Sequence, residues 1–250
     1  MADGRLRIFD DGPLPGAVNM RRDAALLAAQ RVGDPPVLRL YRWSPPAVSL
    51  GYHQDEVDFA REAIAARGYG LVRRPTGGRA ILHADELTYA IVGASPSATF
   101  GATLHATYAA INRALLSFLQ DLGLRPDVSA GESRAEARGL VCFRSAGQHE
   151  LTVGGRKLAG SAQRRRDGLF LQHGSLLTGP RHAELAELLA PARRAGQTRE
   201  TVLAVTTDLA TLLGHPLPEA QLAGLARRLG EICAATFDLR PAWEDPPALA

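Results

Sequence analysis

The stretch Val153-Gly154-Gly155-Arg156-Lys157-Leu158-Ala159-Gly160-Ser161-Ala162-Gln163-Arg164-Arg165-Arg166-Asp167-Gly168-Leu169-Phe170-Leu171-Gln172-His173-Gly174-Ser175-Leu176-Leu177 decides the fold of this chain. Gly154-Gly155 separates two alternating apolar runs, Glu150 to Val153 and Lys157 to Ala162. A third run, Gly168 to Leu177, follows another polar turn, so the pattern predicts a hairpin plus a third strand. Gly160-Ser161-Ala162 keeps the second strand narrow, which suits close approach of a ligand or another backbone. Upstream lies Cys142, one of only two cysteines. A lysine ammonium brought near a thiol lowers its pKa and makes a nucleophile of it, which singles out Cys142 and Lys157.

Outward from this hairpin, the chain alternates strands and helices. Arg5 to Phe9 reads as a short strand, followed by a turn at Gly12 to Gly16 and a helix over Val18 to Val32. Val37 to Trp43 and Ala47 to Leu50 are strand-like, separated by Ser44-Pro45-Pro46. Val57 to Ala66 is helical with Gly68 placed to end it, and Tyr69 to Arg73 is the next strand. Ala80 to Leu82 and Leu87 to Val92 are expected to pair across His83 to Glu86. Leu104 to Leu122 carries Tyr108, Ile111, Leu115, Phe118, Leu119 and Leu122 on one side, with Gly123 after it. Ser129 to Arg138 is small and charged, a loop and a candidate lid. A helix is expected near His182 to Leu189, then an Arg/Gly-rich loop, Pro191 to Thr198. In the helical C-terminal portion, from about residue 181, Leu222, Leu225, Leu229, Ile232, Cys233 and Phe237 form one stripe, opened by Pro218. The expected architecture is α/β (α+β): one catalytic domain over residues 1–250, with a mixed, largely antiparallel sheet flanked by helices.

The totals bound the class. The chain has 250 residues, 46% hydrophobic and 22% charged, ordinary for a soluble globular protein. No apolar run approaches the roughly 18 residues of a membrane helix, and the N-terminus lacks a signal-peptide core, so no membrane role and a cytoplasmic location are expected. Cys142 and Cys233 are far apart and give neither a zinc spacing nor a disulfide framework, so no metal is expected. The formal charge of +3 suits an acidic protein partner. No basic tract interleaved with aromatics is present, so nucleic acid is not the expected partner.

A second stretch carries chemistry: Arg73-Arg74-Pro75-Thr76-Gly77-Gly78-Arg79-Ala80-Ile81-Leu82-His83. A Gly-Gly turn lets backbone N–H groups face an anion or a carbonyl, with arginines adding charge. The plainer reading is a hairpin with exposed arginines. The order of residues is not that of a Walker A loop, and no Gly-x-Gly-x-x-Gly follows a strand.

Together these stretches resemble the lipoate–protein ligase and biotin–protein ligase catalytic-domain family. The resemblance rests on Tyr41-Arg42-Trp43 with Pro46-Ala47-Val48-Ser49-Leu50-Gly51-Tyr52-x-Gln54, the Arg-Arg-Pro-Thr-Gly-Gly turn with His83, Gly155 to Gln163, and Gln172-His173-Gly174-Ser175. The motifs span roughly residues 18 to 180, in order. The Gly-Arg-Gly-Arg-type loop of biotin ligases is absent. ATP-dependent lipoate ligases typically show three glycines in the turn, an Asn-Asp pair ahead of the lysine and a further C-terminal domain; here stand Gly77-Gly78-Arg79 and Gln148-His149-Glu150. The turn wording and Cys142-Phe143 are similar to the octanoyltransferase branch.

That resemblance implies an N-octanoyltransferase of lipoate assembly, with octanoyl-acyl carrier protein as donor and no further cofactor. The acceptors it implies are lipoyl-domain proteins, such as the glycine-cleavage H protein or a 2-oxoacid dehydrogenase E2. The family's cysteine and lysine map onto Cys142 and Lys157. Substrate contacts are expected at Arg73, Thr76, Gly77, Gly78, Arg79, His83, Gly160, Ser161, Ala162, His173 and Gly174. Three alternatives remain at this point: an ATP-dependent lipoate–protein ligase, an amidotransferase between lipoyl-bearing proteins, and a non-catalytic homologue that binds acylated carriers. Each residue also has a plainer reading. Cys233 on the helical stripe is a small core residue, a strand lysine is usually solvated, and His83 and His173 could be satisfied structural histidines.

Overall fold

The computed structural model describes residues 4–129 and 149–246. Cys142 and the candidate lid beyond Ser129 lie outside the described residues. The strands are β1 (Arg5–Leu14), β2 (Val37–Trp43), β3 (Ala47–Leu50), β4 (Gly70–Arg73), β5 (Ile81–His83), β6 (Glu86–Ala94), β7 (Pro126–Val128), β8 (Leu151–Val153), β9 (Arg156–Arg166), β10 (Leu169–Leu177) and β11 (Arg240–Trp243). The helices are α1 (Gly16–Ala29), α2 (Arg61–Ala66), α3 (Leu104–Asp121), α4 (Arg199–Val205), α5 (Leu209–Leu213) and α6 (Glu219–Thr236).

Among the described residues, eight strands form one sheet in the order β11-β1-β2-β6-β10-β9-β8-β7. The pairs β11/β1 and β1/β2 are parallel and the others antiparallel, so the sheet is mixed and mostly antiparallel, as the sequence predicts. The β8–β9–β10 unit follows the pattern of its sequence. Gly154 and Gly155 hold φ of 57° and 73°, the left-handed pair that a tight hairpin turn demands and glycine supplies without strain. Across β9 and β10, Gly174 faces Ser161 and Gln172 faces Gln163.

The two faces of the sheet explain the remaining elements. Every residue of β2 is buried. Leu38 and Leu40 join Tyr89, Ile91, Ile111, Phe118, Leu229 and Cys233 in the core under α3 and α6. Val37, Tyr41 and Trp43 alternate to the other face, where Met20 of α1 covers them. Each large apolar side chain so buried contributes about 1.5–3 kcal/mol. Thr103 caps α3 by accepting the Ala106 N–H at 3.1 Å. Cys233 is 2% exposed within the α6 stripe, and burial pushes its thiol pKa up to about 12. It is a core residue.

Several expectations are corrected. The strands around His83 do not form a hairpin with each other. β5 pairs antiparallel with β3, and β3 pairs parallel with β4, in a separate three-stranded sheet. β6 pairs instead with β2 and β10. Its first eight residues are all buried, which marks a central strand covered on both faces rather than a hairpin arm. The expected helix over Val57 to Ala66 is a 3-10 turn, Glu56–Asp58, before the short α2, because Asp55 caps the Val57 N–H and Phe59 pairs with Leu189. The segment near His182 is also 3-10, Pro180–Leu188, and its leucines pack on the small sheet. The turn expected at Gly12 is the irregular second half of β1. The strands β7 and β11 were not expected; Pro241 makes β11 read poorly as a strand, but it sits at the sheet edge where a missing N–H is tolerated.

Candidate active site

A cavity of about 260 Å³ lies between the large sheet, α1 and the turn that follows β4. Gly78, Arg79, His83, Gly160, Ser161, Ala162, His173 and Gly174, all expected from the sequence, line it. Small residues of both β9 and β10 border the space. A side chain at Gly174 would come within 2.6 Å of Tyr89 and 2.7 Å of Ser161 Oγ. The Ser161 hydroxyl instead bonds the Tyr89 hydroxyl at 2.7 Å. Burial raises the Tyr89 pKa to about 12, so the phenol stays neutral, while its bonds to Ser161 and Gln172 act in the opposite sense.

Lys157 stands beside this wall. It is 1% exposed, and its Nζ donates to Glu150 Oε1 at 2.5 Å. Glu150 itself lines the cavity. A Cβ at Gly160 would meet the lysine Nζ at 3.1 Å, so glycine there lets the ammonium reach the cavity edge. The lysine is also fixed through its backbone, whose carbonyl accepts the Thr207 N–H at 2.9 Å. A solvated strand lysine is therefore ruled out.

His173 belongs to a buried relay. Its Nδ1 lies 2.9 Å from Asp23 Oδ2 and its Nε2 2.7 Å from Thr76 Oγ1. An ionised carboxylate only accepts, so Nδ1 carries a proton, and in the neutral ring Thr76 donates to Nε2. Asp23 also accepts from Arg39 at 2.6 Å and from the Tyr41 hydroxyl at 2.9 Å. Burial alone raises the Asp23 pKa, but the Arg39 guanidinium and the bonds from His173 and Tyr41 outweigh it and hold the carboxyl below its ordinary value. Burial and the Asp23 charge push the Tyr41 phenol well above its ordinary range. The relay anchors the Thr76 turn to α1 and β2.

His83 sits in a second cluster. Its Nδ1 faces Glu86 Oε1 at 2.8 Å, its Nε2 faces Ser49 Oγ at 2.6 Å, and its ring stacks on Trp43 with centroids 3.8 Å apart. Both histidines are thus oriented from behind and present a ring face or edge to the cavity, an arrangement that suits substrate orientation.

Three expected residues take other places, Thr76 in the relay behind His173 and two more at the turn itself. Arg73 points away from the cavity and donates to the carbonyls of Gly51, Tyr52 and Gln54 at 2.7–3.2 Å. Gly77 serves through its carbonyl, which accepts from Arg74 at 2.9 Å. Arg74 is the arginine that sequence reasoning passed over. It is 4% exposed, lines the cavity and bonds Ser49 O and Arg79 O at 3.0 and 2.7 Å. Strand alternation was the available signal, since Arg73 ends β4 at an exposed position and the next residue turns inward. Asp23 carried no local signal, because its partners Arg39, Tyr41 and His173 are remote in sequence; Tyr41 and Trp43 stood in a motif without an assigned role, and Glu86 bonds His83 only three positions away. Gly51 is required by contact: a Cβ there would lie 1.9 Å from Gly78 O, so the two turns touch backbone to backbone.

Residues 15–226 match the lipoyl protein ligase A/B catalytic domain. The chain is 43% identical to the octanoyltransferase LipM of Symbiobacterium thermophilum over 244 residues, covering 90% of this chain and 86% of that one. It is 40% identical to the octanoyltransferase LipM of Kyrpidia tusciae over 240 residues, covering 90% and 87%. In fold it is similar to lipoate-protein ligase A solved with bound ATP, with a TM-score of 0.76 at 22% identity, covering 98% of this chain and 89% of that one. A bipartite lipoate protein ligase from Thermoplasma acidophilum gives 0.72 at 20% identity, covering 98% and 87%. The chain belongs to the lipoyl protein ligase A/B catalytic-domain family, on its octanoyltransferase branch.

Proposed function

We propose that this acyltransferase moves an octanoyl group from acyl carrier protein, through a thioester at Cys142, to a lysine amine of a lipoyl-domain protein such as the glycine-cleavage H protein. The 43% identity to an octanoyltransferase across most of both chains carries the reading. The cavity supports it, since small residues of β9 and β10 leave a narrow slot beside a buried ammonium.

In the first half-reaction the Cys142 thiolate, stabilised by the Lys157 ammonium, attacks the carrier thioester carbonyl. The new carbon–sulfur bond forms as the old one breaks, and the carrier leaves as a thiolate that takes up a proton. In the second, the neutral acceptor amine attacks the acyl-Cys carbonyl. A carbon–nitrogen bond forms, the Cys142 thiolate departs, and the amine loses a proton to solvent or a base. Backbone N–H groups near Gly77-Gly78 or Gly160-Ser161 hold the oxyanion in both. Glu150 fixes Lys157, Arg74 and the His173 relay hold the turn, and His83 orients the acyl group. An amide replaces a thioester downhill, so the reaction needs neither ATP nor a metal. It takes place in the cytoplasm, where the thiol stays reduced.

The test is transfer from octanoyl-acyl carrier protein to glycine-cleavage H protein without nucleotide, beside a second reaction given free lipoate, ATP and magnesium. Acceptor labelling in the first is expected. Labelling only in the second contradicts the proposal.

A further inference from the structure

A further cavity borders the same three elements as the first. This second cavity, of about 420 Å³, has Ala24, Leu27, Pro75, Arg164, Arg166 and the carboxylate of Asp167 among its lining residues. Three elements wall both. On α1, Met20 lines the first cavity and Ala24 and Leu27 the second, the spacing of one helical stripe. On β9, Gly160, Ser161 and Ala162 line the first, and Arg164 and Arg166, on the same strand face as Gly160 and Ala162, line the second. On the turn after β4, Gly78 and Arg79 line the first and Pro75 the second. Arg165 points to the opposite face, where it donates to Ser95 Oγ at 2.7 Å. The strand thus changes from glycine and alanine to arginine along a single face.

We propose that the Arg164–Arg166 reach seats the phosphodiester of the carrier protein's thiol-bearing arm, while the Gly160–Ala162 reach takes the thioester. This inference rests on the acyl-carrier donor proposed above. Charge and length both favour that occupant. Arginine presents a fork of donors that matches a phosphate oxygen pair. Arg164 already leans over the turn, donating to Pro75 O at 3.2 Å, with its guanidinium 5.9 Å from the Tyr52 ring. Arg166 pairs with Asp167 at 2.8 Å, but the two side chains are 69% and 77% exposed, and such a pair is readily exchanged for a phosphate. An extended phosphopantetheine arm, roughly thirteen bonds from phosphorus to sulfur, reaches about 16 Å. Along β9, Arg164 lies about 13 Å and Arg166 about 20 Å from Gly160 at the ordinary strand rise. The arm spans that interval with its sulfur beside Gly160 and Lys157.

The experiment compares two donors, octanoyl-acyl carrier protein and octanoyl-pantetheine, which carries the same thioester without the phosphate or the protein. For the double variant Arg164→Ala/Arg166→Ala, KM for the carrier donor is expected to rise at least about tenfold. KM for octanoyl-pantetheine and kcat for both donors are expected to stay as in wild type. Arg156→Ala, an exposed change at the hairpin turn outside both cavities, should alter neither donor. An equal loss with both donors, or no change with either, overturns the inference. Wild type that transfers from neither donor overturns the acyl-transfer reading itself, so the two failures are distinguishable.

Discussion

Lys157 Nζ donates to Glu150 Oε1 across 2.5 Å, with 1% of the lysine side chain and 10% of the glutamate side chain exposed. A charge pair this deep is costly to break on one side, because a buried charge then loses a group that compensates it. Glu150→Gln should therefore lower stability by about 3 kcal/mol or more, read as a drop in unfolding midpoint. An unchanged midpoint would mean that the pair is not held as described.

Lys157 is also assigned the task of keeping Cys142 as a thiolate. Lys157→Ala should slow acyl-enzyme formation by a factor of about 100 or more at neutral pH. Without the ammonium the thiol returns towards its ordinary value near 8.5, so the variant's rate should climb as pH rises through that region. A variant whose rate is low and flat between pH 7 and 9.5 would show that the lysine acts in some other way.

The relay behind His173 makes a statement about acid stability. The Asp23 pKa is held below its ordinary 3.8, by Arg39, His173 and Tyr41 acting against burial. A carboxyl depressed on folding adds stability above its unfolded pKa, and that stability is lost as pH falls through the folded value. Asp23→Asn should therefore destabilise the protein at pH 7 and flatten the acid limb of its stability curve below about pH 4. Parallel acid limbs in the two proteins would contradict the relay.

Gly51 and Gly78 touch backbone to backbone, and a methyl group at 51 cannot be accommodated without moving the turn. Gly51→Ala should displace Gly78 and Arg79 from the cavity wall and reduce kcat/KM by more than about tenfold while the far-UV spectrum stays native. Wild-type kinetics in Gly51→Ala would sever the link between this contact and the site.

Much of the architecture was legible because its signals are local. The Gly154-Gly155 turn, the alternation on either side of it and the apolar stripes of α3 and α6 each need only a short window of sequence. The same holds for Lys157, Gly160, His173 and Gly174, which sit on that hairpin unit. What escaped is non-local. Neighbouring strands usually pair, yet β5 leaves for a second sheet and β6 enters the centre of the first, a choice made by burial on both faces of β6. Arg73 and Arg74 are adjacent in sequence and opposite in role, since one ends an edge strand and the other turns inward. Asp23 joins the site through His173 and Tyr41, both remote from it in the chain.

The most direct test of the account is the intact mass of the protein after mixing with octanoyl-acyl carrier protein in the absence of ATP, for wild type and Cys142→Ser. Burial keeps the other thiol, Cys233, protonated with a pKa near 12, so Cys142 is the expected site of any thioester. Wild type should gain one octanoyl group that hydroxylamine removes, and Cys142→Ser should form no thioester. Absence of the adduct from wild type, or a hydroxylamine-labile adduct that survives in Cys142→Ser, would contradict acyl transfer through Cys142.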